Sequence, residues 1–215
     1  MNDILSSVGV GINQVFVGHP FDTCLTLIQN KKKWFGLPIK NYYKGYRYPL
    51  VSSMLFNCTA FPIYNRTIDH TGSGFLSGLI ASLFVAPIVF TSDVGKIKKQ
   101  TSQKLKLEDF YKSKGKLAIV ARESIAMPVY FGTYDYLKKN EIHPLIAGGA
   151  AGLSNWSMTY PIDVIKSRQI AQNLTIKQAI QYGNIWKGFS ICAFRAILVN
   201  ATNFYVYESL MKIFN

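Results

Sequence analysis

The sequence predicts an all-α membrane protein, with six transmembrane helices arranged as three pseudo-threefold repeats of two helices each and short amphipathic helices on one side. Three observations carry that prediction: an apolar composition, a segregation of the charge into blocks, and a recurrence of proline, glycine and tyrosine landmarks along the chain.

Of the 215 residues, 49% are hydrophobic and 14% aromatic, while only 16% are charged, which is too apolar for an ordinary water-soluble domain. The net charge is +13, yet 18 of the 24 Lys and Arg residues fall within 31–47, 96–116 and 166–187. Basic blocks separated by apolar stretches are the pattern of loops kept on one side of a membrane. A nucleic-acid binder would instead interleave aromatics with its basic runs or carry a basic recognition helix, so no nucleic-acid partner is expected.

The repeats follow from spacing. Pro20, Pro87 and Pro161 lie 67 and 74 residues apart, and Gly45, Gly115 and Gly188 follow them by 25, 28 and 27 residues. Seven residues past each glycine stand Ser52, Arg122 and Arg195, and twelve further on Tyr64, Tyr134 and Tyr207, followed by Asn65, Asp135 and Glu208. These landmarks divide the chain into repeats over 1–69, 70–141 and 142–215.

Each repeat contributes two spans flanking a basic, partly amphipathic loop. The odd spans are expected over 4–29, 72–95 and 144–169, the even ones over 48–67, 117–138 and 189–214. Each is long enough to cross ~30 Å of hydrocarbon at ~1.5 Å per residue, and six of them put both chain ends on one face. Small residues mark the odd spans: Ser7, Gly9 and Gly11 in the first, Gly74 and Gly78 in the second, Gly148 and Gly152 in the third. The last two pairs have the spacing of close helix contact in lipid. The stretch GSGFLSG (72–78) is not a dinucleotide loop, because its spacing is wrong, no strand precedes it and no ribose-binding acid follows.

Other chemistries find little support. Cys24, Cys58 and Cys192 form no CxxC pair, His19, His70 and His143 stand apart, and no nucleophile–base pair or metal cluster is visible. Neither an enzyme nor a metal or cofactor is therefore expected. The start of the chain has no charged n-region or Arg-rich leader, so any targeting signal is expected to be internal.

The segment TYPIDVIKSR (159–168) carries Pro161, Asp163, Lys166 and Arg168. This pattern, with the repeat period and the stretch 186–209, resembles the mitochondrial carrier family over almost the whole chain. The chain is compact for that family, and its bias to Lys, Asn, Ile, Tyr and Phe resembles carriers encoded by giant viruses. The resemblance implies six tilted helices around a central cavity in the mitochondrial inner membrane, with a monomer that exchanges substrate by alternating access. It implies cardiolipin as a lipid partner near Tyr43-Lys44-Gly45 and Trp186-Lys187-Gly188. It also implies a matrix gate involving Pro20, Asp22, Gln29, Pro87, Pro161, Asp163 and Lys166. An opposite gate would use Tyr64, Tyr134, Asp135, Lys138, Tyr207, Glu208 and Lys212.

Departures from the pattern carry further expectations. The base of the first repeat is replaced by Leu25, and the second repeat has Val89 and Ser92 where acid and base belong. None of the usual matrix bridges can form, so Asp22 and Lys166 are expected to pair with each other, since breaking a buried pair costs about 3 to 5 kcal/mol.

Ser52, Asn57, Arg122, Glu123 and Arg195 are the expected substrate-binding positions. Charges inside a membrane are functional by default; two arginines suit a carboxylate or phosphate, and Glu123 suits an ammonium. The competing reading is that an arginine pairs with Glu123 only to satisfy both. The Arg122-Glu123 dipeptide resembles the carnitine and basic-amino-acid branch of the family. A nucleotide or deoxynucleotide, its base stacked on Tyr130, Phe131 or Phe61, is the rival small charged metabolite. A degenerate, non-transporting scaffold or receptor is the alternative of another class, favoured by the eroded signatures and opposed by the cavity arginines.

Overall fold

The computed structural model describes residues 2–214, with the side chains of 2–10, 57, 144, 145, 200, 201, 203–205, 207, 208 and 210–215 left out of the description. Among the described residues the chain is helical, with no strand. The helices are α1 (Asn2–Gln29), α2 (Ile39–Tyr42), α3 (Arg47–Thr71), α4 (Gly74–Gln100), α5 (Leu107–Lys112), α6 (Lys116–Lys139), α7 (Pro144–Gln172), α8 (Ile176–Gln181) and α9 (Phe189–Phe214). Long, short and long elements alternate three times, with the short helices in the basic loops.

The six long helices have 24 to 29 residues. At ~1.5 Å per residue each is about 36 to 44 Å long. Pro20, Pro87 and Pro161 lie inside α1, α4 and α7, and each helix continues through its proline. α4 runs past the expected end at 95 because Lys96, Lys98 and Lys99, all good helix formers, extend it beyond the apolar stretch.

Among the described residues, α4 is the one helix long and apolar enough to cross a membrane by length and composition alone. The other long helices turn polar residues inward. His19, Thr23, Gln29, Glu123, Lys166 and Arg168 are each at most 6% exposed, whereas Leu83, Phe84, Leu153, Phe194 and Ile197 are each at least 57% exposed. Buried charge with an apolar exterior is the distribution expected where lipid is the outer solvent.

Packing around the bundle is uneven. α4 packs extensively on α3 and α6, α6 on α7, and α1 on α9, while α1–α3 and α7–α9 meet only slightly. Gly74 and Gly78 explain the close approach of α4 to α6: a Cβ at either would lie 2.7 Å from a backbone oxygen, that of Phe131 or Met127. Gly148 and Gly152 do not share this role, contrary to their spacing. Among the described residues, nothing lies within 4 Å of a Cβ at either. Gly11 likewise faces open space, and the side chain of Ser7 and the surroundings of Gly9 are outside the described residues.

The glycines of the repeat dock in rotation. A Cβ at Gly45 would approach Lys96 and Lys99 of α4, at Gly115 Ile170 of α7, and at Gly188 Leu25 of α1 as well as the Tyr160 hydroxyl. Gly45 and Gly188 also have φ of 82° and 94°, which a side chain would strain.

The ends of α1, α4 and α7 converge beside the basic loops. Thr26 donates to Gln100 Oε1 at 2.8 Å, and the Gln100 amide donates to Thr23 at 3.0 Å. The Asn30 amide donates to Ser167 at 3.0 Å. Arg168 is 1% exposed and donates to the carbonyls of Gln29, Ala179, Gly183 and Asn184, which ties α1 and α8 to α7. This layer closes the basic-loop end of the bundle.

Candidate functional site: a charged chamber above the closed end

Directly inside this closure lie two adjoining cavities, of about 160 and 320 Å³, that share Asp22, Val89, Asp93, Lys96, Arg122 and Arg195 as walls. The deeper one also reaches Gln29, Trp156, Asp163 and Lys166. The wider one reaches His19, Ser52 and Ser92.

Every cation of this chamber has a carboxylate. Lys96 Nζ is 2.7 Å from Asp22 Oδ2, and the Arg195 guanidinium contacts the same carboxylate. Lys166 Nζ is 2.8 Å from Asp93 and 2.6 Å from Asp163. Arg122 pairs with Glu123, whose side chain is 1% exposed, and its guanidinium carbon lies 5.5 Å from the Trp156 ring centre.

Asp22 and Lys166 therefore do not pair with each other as expected. Lys96 takes Asp22, and Asp93 takes Lys166. Asp93 and Lys96 stand six and nine residues past Pro87, against two and five for Asp163 and Lys166 past Pro161. The charges of the second repeat are not lost but displaced by four residues, about one helical turn, so they keep the same face of α4. The identical three-residue spacing was the sequence signal for these two residues, which fixed-position counting missed. Acid-to-next-base bridges then run from α1 to α4 and from α4 to α7. The third is replaced by apolar packing, since Leu25 is buried against Tyr160, Val164 and Cys192.

The remaining expected positions fall as follows. Ser52 lines the wider cavity and donates to Ser92 at 2.9 Å, and Gln29 lines the deeper one. Arg122 and Arg195 both line the chamber, each already paired, as the competing reading of the Arg122-Glu123 dipeptide holds for Arg122. Asn57 lies outside the described side chains, as do Tyr207, Glu208 and Lys212. Tyr64, Tyr134, Asp135 and Lys138 surround a separate cavity near the opposite end, where Asp135 pairs with Lys139 at 2.9 Å. His19, unassigned by sequence, borders the chamber with Nε2 at 3.0 Å from the Lys44 carbonyl. A carbonyl can only accept, so Nε2 carries the proton and Nδ1, buried without a partner, is an acceptor.

The mitochondrial carrier protein family model matches residues 140–215. The chain is 23% identical to solute carrier family 25 member 45 of Mus musculus, over 92% of this chain and 93% of that protein. It is 27% identical to the mitochondrial basic amino acids transporter of Rattus norvegicus, over 80% of this chain and 72% of that protein. It is 26% identical to the mitochondrial arginine transporter BAC2 of Arabidopsis thaliana, over 94% of this chain and 88% of that protein. The Pro161 signature lies in the segment that the family model matches, and the chain is similar to these carriers and transporters along 80 to 94% of its own length.

Proposed function

We propose that the protein is an inner-membrane carrier that exchanges a small cationic or zwitterionic metabolite of the basic amino acid type by alternating access. The observation that carries this reading is the internal charge balance of the chamber. Lys96, Lys166, Arg122 and Arg195 are each held by Asp22, Asp93, Asp163 or Glu123. Among the described residues of the chamber a polyanion would find no free cation, whereas a basic amino acid can trade with both members of a pair. Its carboxylate fits the donor fork of Arg122 or Arg195, and its cation fits Asp22 or Asp163. The basic amino acid and arginine transporters among the relatives support the same class.

The mechanism follows from which pairs must break. The bridges Asp22–Lys96 and Asp93–Lys166 join α1, α4 and α7 just inside the closed end, so opening that end separates both. Bound substrate lowers the cost only if it replaces the lost partners better in the open state than in the closed one. Exchange rather than leak results when the empty chamber keeps its bridges. In the same reading the protein works as a monomer. Cardiolipin, an anionic lipid, docks at the loop ends where Gly45 and Gly188 precede α3 and α9, because helix N-termini attract anions.

Proteoliposomes loaded with arginine, lysine, carnitine, a dicarboxylate or ATP, and assayed for uptake of labelled arginine and, separately, labelled ATP, test the reading. Uptake accelerated by internal arginine or lysine is expected. Exchange of nucleotides alone would overturn the substrate class, and uptake of nothing would favour the scaffold.

A further inference from the structure

Ion pairs join α1 to α4 and α4 to α7 at the closed end, but among the described residues none joins α7 back to α1. Leu25 supplies no base there, and Asp163 pairs with Lys166 of its own helix. α1 is tied instead from α9: the Arg195 guanidinium lies side-on to Asp22, with Nε facing Oδ1 and Nη2 donating to Oδ2 at 3.4 Å. Ser52 and Arg122, at the same distance past their glycines, do otherwise. Ser52 makes a neutral contact with Ser92, and Arg122 is held by Glu123 beside it in α6. Of the three, Arg195 is the one that carries an ionic tie between helices.

Gly18 makes that reach possible. It is buried one turn before Asp22, on the same face of α1. A Cβ there would lie 3.1 Å from Nη2 and 3.2 Å from Nε of Arg195, and 3.3 Å from Val199. A bare backbone at 18 thus lets the guanidinium lie across α1 and meet Asp22. The tie is also releasable. When Arg195 leaves, Asp22 keeps Lys96 at 2.7 Å, so the acid is not left unpaired. What release requires is another partner for Arg195, which borders both cavities of the chamber and can be met by a ligand in either. An ammonium cannot be that partner, since it would approach an acid already facing two cations. A carboxylate can, because it offers the guanidinium the same pair of oxygens.

We propose that Arg195 is the specificity-determining residue of transport and Gly18 its positioning residue: a substrate's carboxylate must take Arg195 from Asp22 before the closed end opens. This role rests on the basic amino acid reading above and deepens it, separating what binds from what is carried. An amine without a carboxylate can enter the chamber and pair with Asp163, which lines the deeper cavity, but it leaves Arg195 on Asp22 and the end shut. A basic amino acid does both, and its cation then takes the place beside Asp22 that Arg195 has left.

The test reconstitutes the full-length protein in liposomes and compares arginine with agmatine, which is arginine without its carboxylate. In wild type, agmatine is expected to compete with arginine uptake yet to exchange about tenfold more slowly or worse, the size of an ordinary coupling between two sites. Gly18→Val keeps Arg195 but pushes it off Asp22. It is expected to lower the KM for arginine, to raise efflux without counter-substrate and to bring agmatine exchange close to that of arginine, with Gly18→Ala shifting each in the same direction by less. Melting temperatures of the substrate-free protein add a readout that needs no transport: Asp22→Asn and Arg195→Met should each lower it, and together by less than the sum. Agmatine exchanged as fast as arginine by wild type, or an unchanged KM and efflux in both Gly18 variants, would overturn the role of Arg195 and leave the transport reading standing if arginine is still exchanged. Additive melting losses would overturn it whatever is carried. Losses short of additive, in a protein that exchanges no basic amino acid, would uphold the tie between Arg195 and Asp22 and overturn the reading of the substrate.

Discussion

Lys96 of α4 sits 2.7 Å from Asp22 of α1, nine residues past Pro87, and so restores a bridge that residue-for-residue counting from the proline assigns to Ser92. Because Arg195 shares the same carboxylate, three helices meet at Asp22. Replacing Lys96 with Met should leave Asp22 partly paired and lower stability by about 2 kcal/mol, less than the loss of an isolated buried pair. For a chain of this size that is roughly 4 to 8 °C in Tm. Thermal unfolding in detergent checks it. The exchange Asp22→Lys with Lys96→Asp should not restore stability fully, since it turns Arg195 against a lysine.

Lys166 lies between two carboxylates, so its variants should rank by the charge they leave behind. Asp93→Asn or Asp163→Asn leaves one neutral pair, whereas Lys166→Met leaves two unpaired acids facing each other. The expected order of destabilisation is Lys166→Met well above either asparagine variant. Lys166→Met should also release the closed end, measured as labelled-substrate leak from liposomes without counter-substrate.

Two glycines of one sequence pattern should respond in opposite ways. Gly78→Val would drive a side chain into the Met127 carbonyl and is expected to cost about 2 kcal/mol or more, as overpacking does. Gly152→Ala meets no described residue within 4 Å and should be neutral or stabilise by up to about 1 kcal/mol through helix propensity. Comparing the two melting temperatures decides it.

In the loop before α6, Asp109 accepts the Lys106 amide at 2.9 Å and lies 3.3 Å from Lys98. The backbone hydrogen bond from Lys106, with Lys98 beside it, holds the carboxyl below the usual carboxylate range. A depressed value means that this stabilisation is complete above the unfolded carboxyl's pKa and is lost as pH falls through the folded one. Protection factors over α5, referred to the intrinsic exchange rate at each pH, should therefore fall in acid in the natural protein, while Asp109→Asn should already show lower protection at neutral pH and little further fall on acidification.

The periodic features of the sequence were the readable ones. The long helices and the prolines inside them were legible because apolar runs of that length leave few other structures open. What spacing did not reveal was register within a repeat. Asp93 and Lys96 kept their mutual distance and their helix face while moving a turn, and a helix tolerates that shift because side chains four apart point the same way. Gly148 and Gly152 show the converse: their motif is a local property, but whether a partner helix fills it depends on how α7 and α9 meet. Paired charges were equally opaque, since Arg195 and Asp22 lie 173 residues apart.

The uneven packing has a consequence for assembly. The helices with extensive mutual contacts from α3 to α7 follow one another in the chain, so each can dock on its predecessor as it is made. α1 has only slight contact with α3, and its extensive partner is α9, the last of these nine helices in chain order. The earliest of them is thus the last to find its neighbour. Until then Asp22, one of the most heavily bridged acids of the chamber, must wait beside Lys96 without Arg195.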